Sequence, residues 1–404
     1  MARRHDDAPI DTILELDVRR RGLLQEAETL RAHRKAVSKR LAAMPPKPPE
    51  VIQEMRQVGE RIKGLDATIG EIDAELQGHL MRMPNIPKDA VPEGADESGN
   101  RVTRTWGKPR SFDFQPAPHW ELTEGLGIID FVRGQKISGS RFYVLMGAGA
   151  KLQRALTQWM VDVHATRHGY TEVYPPFMVR EQVVYGSGQL PKFRDNLYRD
   201  AEEDYYFVPT AEVPITGLYA DEILDPGTLP MNFVAFSACF RREKMSAGRD
   251  VRGIKRGHQF DKVELYKFVE PERSDEELNT LLGHAEAIAQ GLEVPYRIVQ
   301  LCTGDLGFSA NESYDIEMWA PGCDEWLEVS SCSNCGEFQG RRANIRFRRE
   351  AHGKPEFVHT LNGSGLALPR VLIAVLENYQ QPDGSVEVPQ VLRPYMGMDS
   401  ITLP

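Results

Sequence analysis

The chain has 404 residues, of which 41% are hydrophobic and 27% charged, and its formal net charge is −10. This length and composition fit a globular chain of two or three domains with an ample core. The sequence contains no apolar run long enough to span a membrane, and its N-terminus is charged from Arg3 onward. We therefore expect neither a membrane span nor a secretory signal, and we expect a cytoplasmic location.

Two heptad segments at the start of the chain predict an antiparallel coiled-coil hairpin. Apolar residues recur every seven positions in the first segment and at alternating spacings of three and four in the second. They are Leu16, Leu23, Leu30, Val37 and Met44, followed by Met55, Val58, Ile62, Leu65, Ile69, Ile72 and Leu76. Prolines in the linker 45–49 end the first helix, so the two helices should fold back on each other. With about 30 residues each, they would form an arm roughly 45 Å long.

The first helix of this predicted arm is strongly basic. Between residues 19 and 40 it carries eight Lys or Arg residues and two acidic residues, Glu26 and Glu28. A solvated coiled-coil surface is the usual explanation for a charge run, but a lattice of interhelical salt bridges would mix the signs. Contact with RNA phosphates explains a single sign equally well, and a local basic patch can coexist with an acidic chain. The residues alone leave both interpretations open.

A stretch rich in proline and glycine near residues 84–100 marks the clearest domain boundary. We therefore predict three parts of the chain. They are an arm over residues 1–84, a linker over residues 85–110 and a larger domain over residues 111–404.

The larger domain begins with an amphipathic helix followed by a strand. Apolar residues from Leu152 to Val163 have helical spacing, and residues 170–174 read as a strand that ends at Pro175. By itself this pair indicates core structure.

Two strands joined by a basic, glycine-containing loop are predicted between residues 232 and 268. The first strand leads into FRRE at residues 240–243, and the second begins near HQFDKVE at residues 258–264. Residues 241–262 include eight Lys or Arg residues and three acidic residues. Arginine forks bind phosphate oxygens bidentately, and an aromatic ring offers a stacking face for a base. The segment predicts a nucleotide triphosphate site, although a solvated basic hairpin would be favoured if it stood alone.

A second element that could bind an anion lies about 100 residues further on. Residues 361–377, LNGSGLALPRVLIAVLE, form a glycine-rich turn that leads into an apolar helix. Arg370 stands near the start of this helix.

The five cysteines are an odd number in a long chain without a signal, which favours reduced thiols over a disulfide framework. Cys332 and Cys335 form a CxxC pair that could begin a zinc site with Cys302 and Cys323. Two buried free thiols are the favoured interpretation, and no structural zinc is expected. The fifth thiol is Cys239.

The FRxE hairpin and the GxG turn with its arginine resemble motifs 2 and 3 of class II aminoacyl-tRNA synthetases. Longer strings narrow the resemblance to seryl-tRNA synthetases and span nearly the whole chain. They are PTAE (209–212), SAGRD (246–250), HQFDKVE (258–264), CTGDLGFSA (302–310), EVSSCSN (328–334) and TLNGSG (360–365). Strings of this length in one order are highly specific.

The resemblance implies an α+β fold, in which an N-terminal antiparallel coiled-coil arm precedes a class II catalytic domain with a mainly antiparallel sheet flanked by helices. It implies an ATP-dependent serine–tRNA ligase, which activates L-serine to seryl-adenylate and transfers it to the 3′ end of tRNA-Ser. A second acceptor could be tRNA-Sec. It further implies Mg²⁺ with ATP, and a homodimer whose interface includes the helix and strand of residues 149–177.

The resemblance also assigns the ATP site residue by residue. Arg241 matches the arginine at the α-phosphate and the substrate carboxylate, Arg370 matches the arginine at the γ-phosphate, and Arg256 matches a further motif 2 arginine. These three are the predicted catalytic residues. Phe260 matches the residue that stacks on adenine, and Glu243 matches the acid that reads the adenine amino group.

The metal, serine and tRNA sites follow in the same way. Glu328 and Ser331 match hard oxygen ligands for Mg²⁺, which would bridge phosphates. The predicted serine-binding residues are Thr210, Glu212, Arg241, Glu264, Asn362 and Ser364. A pocket that hydrogen-bonds the serine hydroxyl rejects analogues without it, because its own groups would be left unpaired.

The family's arm reaches across the dimer to the long variable arm of serine tRNA. The predicted tRNA-binding residues are Arg19, Arg20, Arg31, Arg34, Lys35 and Lys39.

A few positions depart from the family pattern. Arg242, Lys244 and Met245 stand where Ser, Ala and Gly are common, and Pro369 stands where Gly is common. The extra charges lie in the loop that approaches the tRNA acceptor end in the family. None of these changes removes a residue that the chemistry requires.

Two other functions share parts of the pattern. A carrier-protein ligase of the same superfamily would activate a small amino acid without tRNA, but such relatives lack the long arm and use a zinc site. A catalytically silent RNA-binding paralogue would have no reason to keep the residues that bind phosphate and metal.

Overall fold

The computed structural model describes residues 1–43, 48–244 and 252–403. It divides into two compact units, one comprising Met1 and Asp6–Met83 and the other comprising Ala2–His5 and Pro84–Pro404. We call the first unit the arm and the second the body. None of the described helices is both long and apolar enough to cross a membrane.

The secondary structure of the described residues alternates helices with mostly short strands. The helices are α1 (Ile10–Ala42), α2 (Pro49–Leu80), α3 (His119–Gly125), α4 (Phe131–Ser138), α5 (Gly147–Thr166), α6 (Glu181–Gly186), α7 (Glu212–Gly217), α8 (Ser274–Gly291), α9 (Phe338–Arg342), α10 (Leu368–Tyr379) and α11 (Arg393–Met396). The strands are β1 (Arg101–Trp106), β2 (Ile129–Asp130), β3 (Val144–Leu145), β4 (Thr171–Glu172), β5 (Met178–Arg180), β6 (Tyr205–Phe207), β7 (Ile223–Leu224), β8 (Met231–Phe240), β9 (Gln259–Val269), β10 (Tyr296–Gln300), β11 (Glu312–Ala320), β12 (Glu325–Gly336), β13 (Arg346–Phe347), β14 (Glu356–Phe357), β15 (His359–Ala367), β16 (Val386–Glu387) and β17 (Ser400–Ile401).

The arm is an antiparallel pair of long helices, as the heptads predict. Leu16, near the start of α1, packs against Ile72 and Leu76, near the end of α2. Further along, Ala27 packs against Leu65 and other residues of α2. This order of contacts is that of a hairpin, in which burial of the apolar stripes holds the helices together. The predicted heptad residue Met44 and the linker prolines Pro45 and Pro46 lie outside the described residues.

The body is built on a mainly antiparallel sheet, which confirms the predicted fold class. Its eight strands follow the order β1-β10-β11-β12-β15-β9-β8-β4. All neighbours pair antiparallel except β4 and β8, which pair in parallel at one edge. The predicted strand over residues 170–174 is therefore present only as the short β4, which is restricted to the sheet edge.

Helices cover both faces of the central strands. One large apolar cluster joins α5, α8 and α10 to the sheet and includes Val234 and Leu265. A second cluster includes Ala235 and Tyr266, the next residues along the same two strands, β8 and β9. Because successive side chains of a strand point to opposite faces, both faces of β8 and β9 are buried.

A buried histidine connects α5 to the strand that precedes α10. His164 is completely buried, and its Nε2 donates to the carbonyl oxygen of Gly365 at 3.2 Å. Its Nδ1 lies 3.0 Å from Nδ1 of His168, whose ring stacks on that of His284 at 4.1 Å between centroids. Since Nε2 carries the proton of neutral His164, Nδ1 accepts from His168. Burial lowers the pKa of His164 to about 3.

This arrangement predicts sensitivity to acid. The unfolded chain protonates His164 near its ordinary pKa of about 6.5, whereas the folded chain resists protonation, so stability is lost as pH falls below that value. Between pH 6.5 and 5 we expect His164 alone to cost about 2 kcal/mol of unfolding free energy. Denaturant titrations across this range should show a shallower pH dependence for His164→Gln than for the unsubstituted protein. The exposed control His352→Gln should retain the full dependence, and equal slopes for all three would contradict the prediction.

Candidate active site

A cavity of about 540 Å³ opens in the body where the central strands meet the segments that follow β8 and precede α7. It is lined by all twelve residues predicted to bind ATP, Mg²⁺ or serine. They are Thr210, Glu212, Arg241, Glu243, Arg256, Phe260, Glu264, Glu328, Ser331, Asn362, Ser364 and Arg370. These residues span 161 positions of sequence from the first to the last, and tertiary folding brings them to one place.

Strand register explains how residues so far apart share the cavity. Glu264 of β9 lies opposite Ser364 of β15 and, on its other side, opposite Ala235 of β8. In the next pair of strands, Asn362 lies opposite Ser333 of β12. Directly opposed residues of antiparallel strands place their side chains on the same face, so this register gathers polar groups on one side of the sheet.

Arginines occupy the part of the cavity next to β8. The Nε of Arg241 donates to the carbonyl oxygen of Pro209 at 3.3 Å, and its guanidinium lies over the Phe260 ring at 5.1 Å from the centroid. Arg256 forms an ion pair with Glu243 at 3.3 Å. Glu243 adopts a left-handed backbone conformation, with φ of 49°. This cluster places two guanidinium groups and an aromatic face within one binding region. The neighbouring loop residues 245–251, which include Met245 and Arg249, lie outside the described residues.

Arg370 approaches from the other side, in the first turn of α10. Its Nη1 donates to the carbonyl oxygen of Glu328 at 2.7 Å and lies 3.1 Å from the Glu328 carboxylate. Its Nε donates to the carbonyl oxygen of Lys255 at 3.4 Å. Pro369 stands in the same first turn, where its fixed φ and missing N–H suit a helix start. The three contacts hold the guanidinium at the cavity wall.

Two buried carboxylates, Glu212 and Glu264, also line the cavity. Thr210 Oγ1 donates to Glu264 Oε2 at 3.0 Å, and Lys262 forms a buried ion pair with the same oxygen. Asn362 Nδ2 donates to Glu212 Oε1 at 3.0 Å. Burial first, and then the charge of Glu264, raise the pKa of Glu212 to about 7. Two neighbouring carboxylates in a partly desolvated pocket attract a cationic group such as an ammonium.

Lys262 is a site residue that the sequence did not single out, although it was counted in the basic stretch. It is 7% exposed, and its partner Glu264 is 2% exposed. The sequence did contain one indication of this role. Residues 262 and 264 are two positions apart in a predicted strand, so their side chains lie on the same face of the sheet. Lys255, Asn196 and Ser330 also line the cavity without having been predicted.

The group of oxygens around Glu328 fits a magnesium ion. Asp315 of β11 lies opposite Ser331 of β12, so its side chain faces the two predicted metal ligands. Its Oδ1 is buried and has no hydrogen-bond partner within the described residues. Burial, followed by the charge of Glu328, raises the pKa of Asp315 well above its ordinary value. Closely spaced carboxylate and hydroxyl oxygens are the ligands that a hard divalent cation prefers.

The cysteines are all free thiols. Burial raises the pKa of Cys332 to about 12, so this thiol is protonated at neutral pH. Among the described residues, the cluster of potential metal ligands comprises His119, Cys323 and Glu377. These groups already bond to one another, because Glu377 Oε1 accepts from His119 Nδ1 at 2.9 Å and from Cys323 Sγ at 3.0 Å. The cluster is explained as a buried hydrogen-bond network.

The arm places the predicted tRNA-binding residues in two groups. Arg20 forms an ion pair with Asp73, and Arg31 forms one with Asp66 at 2.5 Å, so both connect α1 to α2. The second group consists of four exposed side chains on α1. They are Arg19, Arg34, Lys35 and Lys39. The exposed group presents positive charge to solvent, whereas the paired arginines also stabilise the hairpin.

The antiparallel sheet, the arginine at the start of α10 and the cation-rich hairpin together define the core of a class II aminoacyl-tRNA synthetase. The profile of the tRNA synthetase class II core domain (G, H, P, S and T) matches residues 192–379, and that of the seryl-tRNA synthetase N-terminal domain matches residues 1–87.

Relatives over the full length narrow the class. A serine–tRNA ligase of Thermomicrobium roseum is 61% identical over 97% of this chain and 88% of its own length. One of Dehalococcoides mccartyi is 60% identical over 99% of this chain and 96% of its own length. A crystal structure of seryl-tRNA synthetase from Pyrococcus horikoshii complexed with ATP matches with a TM-score of 0.93 and 40% identity, over 98% of this chain and 93% of that chain. The chain belongs to the seryl-tRNA synthetase family.

The buried pair of Lys262 and Glu264 leads to a prediction about stability. Replacing Lys262 by Met leaves the Glu264 carboxylate buried without its ion-pair partner, which should cost about 3–5 kcal/mol of unfolding free energy. The double variant with Glu264→Gln should recover most of this loss. Denaturant titrations at pH 7 would measure both, with the exposed Lys354→Met as the matched control. A loss for Lys262→Met no larger than that of the control would show that the pair is not required.

Proposed function

We propose that the cavity activates L-serine with ATP to form seryl-adenylate and then transfers the seryl group to the 3′ end of tRNA-Ser. The protein is thus an ATP-dependent serine–tRNA ligase, as its relatives are named. The observation that carries this proposal is that one cavity is lined both by three arginines, Arg241, Arg256 and Arg370, and by the buried carboxylates of Glu212 and Glu264. Such a cavity can bind a polyanionic nucleotide and the ammonium group of an amino acid side by side.

Adenylate formation brings the serine carboxylate to the α-phosphorus of ATP, so two anions must approach each other. The carboxylate is itself the nucleophile, and the protein therefore supplies position and positive charge rather than a nucleophilic side chain. We assign Arg241 to the α-phosphate and the carboxylate, Arg370 to the γ-phosphate, and Arg256, as a further motif 2 arginine, to the triphosphate. Phe260 would stack on adenine, and Glu243 would accept a hydrogen bond from its amino group.

Magnesium would be held by Glu328 and Ser331. Bound there with ATP, the ion would offset the negative charge that develops on the phosphates during transfer. Glu328 is already oriented for this role, because Arg370 contacts both its carbonyl oxygen and its carboxylate. The buried Asp315 lies on the adjacent strand opposite Ser331, and a bound cation would favour the ionised form that burial disfavours.

Serine would occupy the part of the cavity lined by Glu212 and Glu264. Thr210, Glu264 and Glu212 would receive its ammonium and hydroxyl groups, with Asn362 and Ser364 completing the pocket. Alanine and glycine lack the hydroxyl group, so they would leave buried polar groups of the pocket unpaired. This penalty discriminates more strongly than a difference in side-chain size does. Threonine can be excluded only if the pocket has no room for its additional methyl group. In a simple pocket, such a steric difference changes the binding free energy by only about 1–3 kcal/mol.

The domain and partner assignments complete the proposal. Residues 1–84 would be the tRNA-binding arm, 85–110 a linker and 111–404 the catalytic domain, which acts in the cytoplasm. The protein would act as a homodimer. Exposed apolar side chains support this interface. Tyr174 lies within residues 149–177, and Val132 and Ile137 lie in the preceding helix α4; all three are between 73% and 79% exposed.

The direct test is pyrophosphate exchange into ATP without tRNA. We expect exchange with serine but not with alanine, glycine or threonine. Exchange with alanine or glycine instead would indicate a carrier-protein ligase, and no exchange with any of them would indicate a silent RNA-binding paralogue.

In the same assay, Arg241→Ala should lower the rate roughly 10²–10³-fold, the usual loss when a group that stabilises transition-state charge is removed. The exposed Arg101→Ala on edge strand β1 should keep the rate, since it changes the net charge equally at a distance. Similar rates for Arg241→Ala and Arg101→Ala would reject the assigned role.

The arm makes a separate prediction. Replacing Lys35 and Lys39 by Ala should lower kcat/KM for tRNA in aminoacylation while leaving serine-dependent exchange unchanged. The dependence of log affinity on log salt concentration should become shallower by about 1 for each phosphate that the arm no longer neutralises. The control is the double variant Lys108→Ala and Lys354→Ala, which has the same net charge and alters exposed body residues. Equal salt dependence in the two double variants would contradict a role for the arm lysines.

A further inference from the structure

Behind the serine pocket lies a buried amide that does not line the cavity. Gln339 stands in the short helix α9 and is fully buried. Its Nε2 lies 2.5 Å from Glu212 Oε1 and 3.0 Å from the carbonyl oxygen of Ser187. Its Oε1 lies 2.8 Å from the hydroxyl of Tyr266 and 2.6 Å from that of Thr360. Every polar atom of the amide thus has partners from other parts of the fold.

The partners fix which way the amide faces. The carbonyl oxygen of Ser187 can only accept a hydrogen bond, so the nitrogen of Gln339 must face it. The second N–H of the same nitrogen then points to Glu212, and the amide oxygen faces two hydroxyl groups that can donate. A reversed amide would set its oxygen against the Ser187 carbonyl and the Glu212 carboxylate, which would leave acceptors facing acceptors. The orientation therefore does not depend on the charge of Glu212.

This orientation determines how Glu212 is held. Its Oε1 accepts from both Gln339 and Asn362. An oxygen that accepts two N–H bonds is stabilised as part of a carboxylate and is not the one that carries a proton. The carboxyl plane is fixed by these two donors, which leaves Oε2 as the oxygen available to a ligand in the cavity.

We propose that Gln339 is a positioning residue for serine recognition, which favours the ionised form of Glu212 and orients its carboxylate toward the amino acid in the cavity. This inference rests on the proposed function of the cavity. Gln339 contacts no substrate, so it acts only through Glu212. It also ties Glu212 to β9 and β15, through Tyr266 and Thr360, so that the serine pocket and the sheet register are coupled.

The charge of Glu212 depends on several groups that face it. Glu264 opposes its ionisation, and Lys262 and Arg241 favour it. Cys335 and Tyr266 are further titratable neighbours of Glu212, and both are fully buried. Burial and Glu264 already raise the pKa of Glu212 to about 7, so serine binding should improve as pH rises through that value. Loss of the Gln339 donor removes a stabiliser of the charged form and should move this midpoint to higher pH.

The test is Gln339→Met, which nearly preserves volume and removes the amide. In pyrophosphate exchange at pH 7, we expect KM for serine to rise roughly 10–100-fold, the effect of losing a hydrogen bond to a buried charge. KM for ATP should stay within about twofold, because Gln339 contacts no predicted ATP residue. The pH midpoint of kcat/KM for serine should rise. Serine-dependent exchange by the unsubstituted protein tests the proposed function separately.

The matched control is Gln380→Met. Gln380 is also buried and makes three amide hydrogen bonds, to Ala117 and Glu377, away from the cavity. The Gln380→Met variant should lower thermal stability about as much as Gln339→Met does. It should leave KM for serine and the pH midpoint unchanged. The inference is overturned if Gln339→Met keeps both values, or if KM for serine and for ATP rise together in both variants.

A second variant keeps the test decisive if Gln339→Met does not fold. Gln339→Glu retains the size and the acceptor oxygen but puts a second carboxyl group against Glu212. The two must share a proton near neutral pH, so KM for serine should fall toward its normal value only at alkaline pH. A pH profile identical to that of the unsubstituted protein would overturn the inference.

Discussion

The antiparallel register of β15 against β9 is the constraint on which the rest of the body depends. It places Ser364 opposite Glu264, and the pairing of β9 with β8 on its other side continues the same alignment. A slip by one residue would send every side chain of a strand to the opposite face. Because both faces of β8 and β9 pack into apolar clusters, such a slip would carry polar cavity residues such as Glu264 into the apolar cluster on the other face, where they would lack partners. Packing of the core thereby holds the geometry of the site.

The cavity solves an electrostatic problem by separating charges within a small volume. A chain with a net charge of −10 must bind a nucleotide that is itself highly negative. In the proposed function, arginines from the hairpin and from α10 would meet this need locally, while the carboxylates of Glu264 on β9 and Glu212 on α7 would receive the amino acid. The buried Glu264 carboxylate is paired with Lys262. Uncompensated charges at this depth would be costly, which explains why the site is also a network of ion pairs.

The arm differs from the body in how little apolar surface it buries. Its two helices bury a narrow stripe of apolar side chains and leave the remaining surface to charge. Arg20 and Arg31 use their charge to join the helices, whereas Lys35 and Lys39 remain exposed. Recognition of a phosphate backbone needs positive charge at roughly the right spacing rather than a shaped pocket. A long hairpin with a basic side is sufficient for that purpose.

Features that depend on local spacing can be predicted from the amino-acid sequence. Heptads predict the two arm helices, because helical periodicity is a property of neighbouring residues, and the motif strings identify the residues that line the cavity. The roles of Gln339, Lys262, Asp315 and His164 become visible only in the folded chain. Gln339 contacts Glu212 across 127 positions of sequence, and His164 contacts Gly365 across 201. Such pairs leave no periodic or local signal, since the burial and hydrogen bonds that give these residues their roles exist only once distant segments pack together.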